Sequence, residues 1–289
     1  ACCVTFENTV VIKGINDSKK LTPKKRDLLY DEIYDKAKEV SVGIVHEDKI
    51  DEINILQAAY LAMKIALGNM KIKPDLVLID GPSSNIKHYN VKHIIGGDSK
   101  SQSIAAASII AKVTRDRIME QYDLIYPDYK FAKHKGYGTK YHIDTIKTLK
   151  SSLIHRKSFK IVKSNLPSFN YIKNSYGFKE LAKMIVASYY VKKEFKILNK
   201  AYNVDQNNSF DYIVKKEHNC YFIKVHTNDI TSNISLNDNL YSDNCKFIKT
   251  FILEKDLETN FTFIVISVMF QKNKKPLIKL IYKKELNSD

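Results

Sequence analysis

The stretch Gly96–Met119 constrains this chain more than any other. Two glycines and a carboxylate, Asp98, lead into a helical pattern whose early positions (Ser103, Ala105, Ala106, Ala107, Ser108) carry almost nothing large. A helix with so little side-chain bulk can lie close against a sheet, and that closeness would fix Asp98. Lys112, Arg115 and Arg117 follow on the same helix. A carboxylate at one end and cations along the body predict a site that handles a metal and a polyanion.

The residues before this stretch read as the sheet. Asp75–Pro82 is a continuous apolar run that ends in a carboxylate, Asp80, and a Gly-Pro turn. Such runs suit central strands buried on both faces. Val91–Ile95 reads as the next strand and ends at Gly96-Gly97-Asp98. Further upstream, Ala1–Ile15 reads as one or two strands around a turn at Glu7–Asn8. Thr22-Pro23 is a helix start, followed by Leu28, Leu29, Ile33 and Ala37 at helical spacing. Ser41–Val45 reads as a short strand, and Asp51–Leu67 as a second amphipathic helix. Strands alternating with helices predict an α/β unit with a mixed or partly parallel sheet, whose functional groups belong at strand C-terminal ends.

Beyond Asp98's helix come a basic, glycine-bearing loop, Lys133–Thr139, and a short helix ending near Leu149. The pattern loosens over Ser164–Asn174, which reads as a linker. A second small α/β unit is expected after it. Its elements are a helix over Gly177–Tyr190, a strand over Phe195–Tyr202 and a hairpin of Phe210–Lys215 with Tyr221–Val225. A helical or mixed segment over Lys246–Leu253 and a final strand pair, Phe261–Met269 with Leu277–Tyr282, complete it. At 289 residues the chain is long enough for two such cores.

A net charge of +15 favours a polyanionic partner, although a lysine-rich surface alone would give the same figure. Cys2, Cys3, Cys220 and Cys245 match neither a zinc motif nor a disulfide framework, so a reducing, cytoplasmic setting is expected. The apolar run Phe261–Phe270 is too short to span a bilayer, and no membrane partner is expected. The chain starts without methionine in a run that looks like mid-strand, so an earlier natural start is also expected.

Asp80 and Asp98 each end a predicted strand, and neighbouring strand ends would bring them together. Hard divalent cations take carboxylate oxygens, and paired metals assist phosphodiester cleavage. Spacing alone leaves each residue open: Asp80 also reads as a turn aspartate, and Asp98 as a helix N-cap. Gly136-Tyr137-Gly138 offers close backbone approach and an aromatic ring for a sugar or base, or else a plain turn. Lys19 and Lys20 read as phosphate contacts or as a solvated face.

Seven stretches occur in an order that resembles the ribonuclease HII family. They are Asp17–Leu21, Asn54–Ala58 with Ala62-Met63, Ile79–Gly81, Gly97–Met119, Tyr126-Pro127, His134–Thr139 and His155-Arg156 with Ser158-Phe159. The resemblance implies a ribonuclease H-like mixed sheet with flanking helices over residues 1–163. It implies Mg²⁺- or Mn²⁺-dependent hydrolysis of RNA in RNA–DNA hybrids and incision 5′ of ribonucleotides embedded in duplex DNA, with a place in DNA replication and repair. By motif position, Asp80 and Asp98 look like two of the family's four metal-binding, catalytic carboxylates. Tyr137, between Gly136 and Gly138, looks like the residue on the junction sugar, and Lys19 and Lys20 look like lysines near the substrate backbone. The family's other two carboxylates come from an Asp-Glu-Ala-Gly-Arg-Gly motif that would lie just upstream of Ala1. Little or no nuclease activity is therefore expected of Ala1–Asp289 alone, and a non-catalytic nucleic-acid-binding remnant is the alternative.

Residues 175–289, after a linker at 164–174, resemble the YraN family, which implies a restriction-endonuclease-like fold. Gly177, Glu180, Ala182, Ile197–Asn199, Asp211 and Phe222–His226 carry the likeness. Lys224 stands where that family has Glu, His226 where it has Lys, and Ser209 replaces a Glu. A lysine cannot ligate a cation, so a degenerate, DNA-binding or structural module is expected.

Overall fold

A computed structural model of the protein describes residues 1–203, 209–228, 238–255, 260–270 and 274–286. The chain divides into two compact units, Ala1–Ile118 with His155–Lys160, and Met119–Ile154 with Ile161–Asp289. The class is mixed α/β in both.

In the first unit, β1 (Cys2–Thr5) pairs antiparallel with β2 (Glu39–Val42). Between them runs α1 (Pro23–Lys36), whose Thr22 cap accepts Lys25 N at 3.3 Å. The expected single helix over Asp51–Leu67 is two helices, α2 (Glu47–Ile53) and α3 (Ile55–Gly68). Asn54 breaks it at φ +67°, and its Oδ1 caps α3 by accepting Leu56 N and Gln57 N at 3.0 and 3.1 Å. Asparagine tolerates positive φ and offers an acceptor there, so one residue ends one helix and starts the next. The strands β3 (Val77–Asp80) and β4 (Val91–Ile94) pair in parallel, Asp80 opposite Ile94. The sheet expected to be continuous is thus two separate two-stranded ladders among the described residues. Of Ala1–Ile15, only Cys2–Thr5 is strand.

The long helix α4 (Gln102–Ile125) starts in this unit. Its Ala106, Ile109, Ile110 and Val113 are buried with Leu29 and Ile33 of α1 and with Ile12, and Val4, Val40 and Val42 pack against them. Of the small residues seen in the sequence, Ala106 lies in this cluster, beside the larger Ile109, Ile110 and Val113.

The second unit holds short helices α5 (Phe131–His134), α6 (Lys140–Leu149), α7 (Lys160–Lys163) and α8 (Phe169–Ser175). The longer α9 (Gly177–Lys192) and α10 (Asp238–Lys255) accompany a five-stranded sheet. Its strands, in spatial order, are β5 (Lys196–Asn203), β6 (Ser209–Lys216), β7 (Asn219–Asn228), β8 (Asn260–Met269) and β9 (Leu277–Leu286). Every neighbouring pair is antiparallel except β7–β8. Phe210, Phe222, Phe261, Phe263 and Val265 form its core with Tyr241, Cys245 and Ile248 of α10. All four cysteines are free. Among the described residues no helix is long and apolar enough to cross a membrane.

Candidate functional site

The parallel ladder β3–β4 delivers two backbone turns to one place. Asp80 ends β3, exposed, and its Oδ1 accepts the N–H of Gly97 at 2.8 Å. Gly81 N donates to Ile94 O at 3.1 Å, which ties the turn after β3 to the end of β4. Asp98 sits next to Gly97 in a 3₁₀ turn, Gly97–Ser99, just before α4. A Cβ at position 97 would lie 2.5 Å from Ile104 Cδ1 of α4, so glycine lets the turn sit this low without displacing Ile104. The helix, the turn and the strand end are locked together, and both carboxylates ride on that lock.

A third carboxylate joins them. Burial first, then the charges of Asp17 and Asp80, push the Asp98 carboxyl above its usual range; Lys19 opposes this, and a hydrogen bond with Asp17 adds to the rise. Two like charges nearby disfavour ionisation, and here they come from Asp17 and Asp80. Sequence reading named Asp17 only as the start of a lysine-bearing motif. The available signal was an aspartate directly before Ser-Lys-Lys in a loop.

That loop is strongly held. Asp17 Oδ1 accepts Lys19 N at 2.9 Å, and Lys20 N donates to Asp17 O at 3.0 Å. The buried Ser18 hydroxyl meets Ser108 of α4 at 2.9 Å. Arg26 Nη1 donates to the carbonyls of Ser18 and Leu21 at 3.0 and 2.7 Å. Nearby, Gln102 at the start of α4 donates to Val10 O and accepts from Ile12 N, each at 2.9 Å. Lys19 and Lys20 are both exposed, and of the two Lys19 carries its charge to Asp98.

The cations along α4 have ion-pair partners within the protein. Lys112 pairs with Asp116 at 2.7 Å, and Arg115 approaches the same carboxylate at 3.8 Å. Arg117 pairs with Asp27 at 3.3 Å and lies over the Tyr30 ring. One carboxylate, Asp116, is shared by Lys112, four residues before it, by Arg115 and by Arg26, while Arg117 takes Asp27 of the neighbouring α1.

Tyr137, Gly136 and Gly138 belong to the second unit. Gly136 has φ +79° and Lys135 φ +52°, so the chain turns sharply there. Two buried histidines brace the turn. His134 bonds to Tyr129 O through Nε2 (2.7 Å) and accepts Gly136 N at Nδ1 (3.2 Å). His142 Nδ1 bonds to Tyr137 O at 2.9 Å, and the two imidazoles stack at 4.2 Å. Tyr137 itself is 57% exposed. The loop holds its backbone rigid and presents the ring outward. Neither histidine was singled out in the sequence as a support.

Carboxylate oxygens suit a hard divalent cation in kind. Among the described residues, however, no group of three or more His, Cys, Asp or Glu side chains is arranged to hold a metal ion.

Comparison with known proteins bears on residues 1–162, which match the ribonuclease HII family. A ribonuclease HII of Acetivibrio thermocellus is 54% identical over 159 residues, 55% of this chain and 62% of the relative. One of Caldicellulosiruptor bescii is 50% identical over 159 residues, 55% of this chain and 77% of the relative. A crystal structure of the ribonuclease H2 from Pyrococcus horikoshii OT3 is 26% identical, with a TM-score of 0.43 over 52% of this chain and 79% of that one. The chain thus spans somewhat under two thirds of the Acetivibrio relative's length. A match over more than half of its residues, with relatives at 50% identity or above, shows that the chain belongs to the ribonuclease HII family.

Proposed function

We propose that the first unit carries half of a ribonuclease H-type endonuclease site, for metal-dependent hydrolysis of RNA in RNA–DNA hybrids and incision 5′ of ribonucleotides embedded in duplex DNA. The observation that carries this reading is the fixed pairing of Asp80 and Asp98 through Gly97, in a chain of this family. Asp80 and Asp98 would hold Mg²⁺ or Mn²⁺, which when bound would polarise the phosphate and activate water. The protein's own groups do the rest. Gly97 N–H keeps one Asp80 oxygen in place, and Asp17 raises the local negative charge. Lys19 and Lys20 face the substrate backbone, and Tyr137 on its braced turn packs against a sugar. A protein tells RNA from DNA by the 2′-hydroxyl. In this reading 1–163 is the nuclease domain, 164–174 a linker and 175–289 a second domain of restriction-endonuclease-like type, acting in the cytoplasm.

The absence of a three-ligand metal group among the described residues favours a second statement: Ala1–Asp289 by itself cuts little and binds nucleic acid. Incision of a duplex holding one ribonucleotide, with Mn²⁺, tests both. The polypeptide Ala1–Asp289 is expected to be nearly inactive, and one extended by an Asp-Glu-Ala-Gly-Arg-Gly strand to be active. Full activity of Ala1–Asp289 would overturn the second statement, and inactivity of the extended form would overturn the first.

A further inference from the structure

A second group of chemistry-bearing side chains lies wholly within the second unit, where the parallel pair β7–β8 ends. The β7–β8 register is unbroken from Asn219↔Asn260 to Asn228↔Met269. Strand alternation therefore puts Lys224 and His226 on one face of β7. Val265 and Ser267 stand beside them on β8. Tyr241 of α10 covers this face, its ring 6.5 Å from the His226 imidazole. Asn244 lies three residues further along α10, on the same side of the helix.

Four polar atoms here are enclosed and make no hydrogen bond: His226 Nε2, Ser267 Oγ, the Tyr241 hydroxyl and Asn244 Nδ2. Ser267 is 1% exposed, and Tyr241 and Asn244 2% each. Buried polar groups are nearly always satisfied, so four orphans in one place call for a partner that the protein itself does not supply. All four can donate a hydrogen bond. The half-buried Lys224 adds an ammonium that makes no hydrogen bond or salt bridge to a described residue. Burial pushes its pKa down, Asp211 opposes this, and Lys179 adds to the fall.

The carboxylate in reach is already spoken for. Asp211 Oδ2 accepts Val225 N at 2.7 Å, and its Oδ1 pairs with Lys183 at 3.1 Å; Lys183 also holds Glu180 at 2.8 Å. Three ammonium groups (Lys179, Lys183, Lys224) thus stand against two carboxylates (Glu180, Asp211). A cation would find its oxygen ligands occupied and a lysine beside them. An anion would find unpaired donors and an uncompensated charge.

We propose that the C-terminal ends of β7 and β8 form an oxyanion site for a phosphate group, bound by Lys224, His226, Ser267, Tyr241 and Asn244. Parallel strand ends are where open α/β sheets bind ligands. The phosphate belongs either to a nucleic-acid backbone or to a free ion. The inference stands independently of the nuclease reading of the first unit.

Histidine-labelled full chain, followed by NMR of its imidazoles, tests this locally, with His226 identified by the signal lost in His226→Gln. Three probes are added separately: inorganic phosphate, a short DNA duplex and Mn²⁺. A His226 shift with phosphate alone supports a free-ion site. A shift with the duplex, with or without phosphate, supports the nucleic-acid backbone. Lys224→Met and Ser267→Ala are each expected to weaken the response about tenfold, while the other histidine signals report an intact fold. No His226 shift with phosphate or duplex overturns the proposal, as does selective broadening by Mn²⁺ without any phosphate response.

Discussion

Two corners of this molecule share a backbone plan and differ in charge. The ends of β3 and β4 gather Asp17, Asp80 and Asp98, with Lys19 near Asp98. The ends of β7 and β8 bring Lys224 and His226 close to Asp211, which Lys183 neutralises. Both lie where parallel strands stop and backbone groups converge. The comparison teaches that parallel strand ends supply a place, and that side chains decide whether it receives a cation or an anion. In the first corner a backbone N–H orients a carboxylate and leaves its charge available. In the second, the nearby carboxylate of Asp211, on the antiparallel neighbour β6, is paired with a lysine.

The largest effect should separate the corners by activity. In the extended polypeptide, if it cuts as proposed, Asp80→Asn or Asp98→Asn is expected to lower Mn²⁺-dependent incision by at least about a hundredfold. Asp211→Asn in the same background should leave the rate unchanged. Equal losses from both corners would erase the distinction. By stability the order reverses. Asp211→Ala strips a partner from Val225 N and from a mostly buried lysine, and should cost roughly 1–3 kcal/mol in urea unfolding. Asp80→Ala, at an exposed strand end, should cost about 1 kcal/mol or less. A smaller sharpening comes from Gly97→Ala, where Ile104 must give way. About 1 kcal/mol is expected, together with a loss of incision larger than that stability change explains.

The smallest effect is a pH dependence in the first unit. Burial pushes the Asp51 carboxyl up, but hydrogen bonds from the Ser158 hydroxyl and N–H and from Lys157 N, with the charge of Arg156, outweigh it and leave it below its usual range. A depressed carboxyl contributes stability that is complete above its unfolded value, about 3.9, and is lost as pH falls through the lower folded value. Urea midpoints measured from pH 7 downward should show this acid loss flattened in Asp51→Asn. An unchanged acid profile would count against the clamp.

Much of this was legible in the sequence because local chemistry dictated it. Thr22-Pro23 wrote a helix start and the 75–80 run wrote a strand, although β3 lies in a two-stranded ladder with Ile79 its one buried residue, where burial on both faces was expected. The break at Asn54 was hidden because apolar spacing continues across it, while a single positive φ ends the helix. The separate ladders β1–β2 and β3–β4 were hidden because pairing depends on residues far apart in sequence. Asp17 was missed for the same reason, since its nearness to Asp98 is made by the anchors Ser18–Ser108 and Arg26. The ion pairs of the α4 cations were hidden because a sequence displays charges without showing their partners. Residues 204–208 and 229–237, beside the expected hairpin, lie outside the described residues.

One side chain carries a further consequence. Gln102 gives a hydrogen to Val10 O and takes one from Ile12 N, so its amide imitates a neighbouring peptide along that short edge. The imitation depends on polarity as well as shape. Glutamate would present two acceptors to a pair that wants one of each, and methionine would offer no N–H to Val10. Position 102 is therefore a place where side chain masquerades as main chain, and where an isosteric change of a single atom type would turn an attraction into a repulsion.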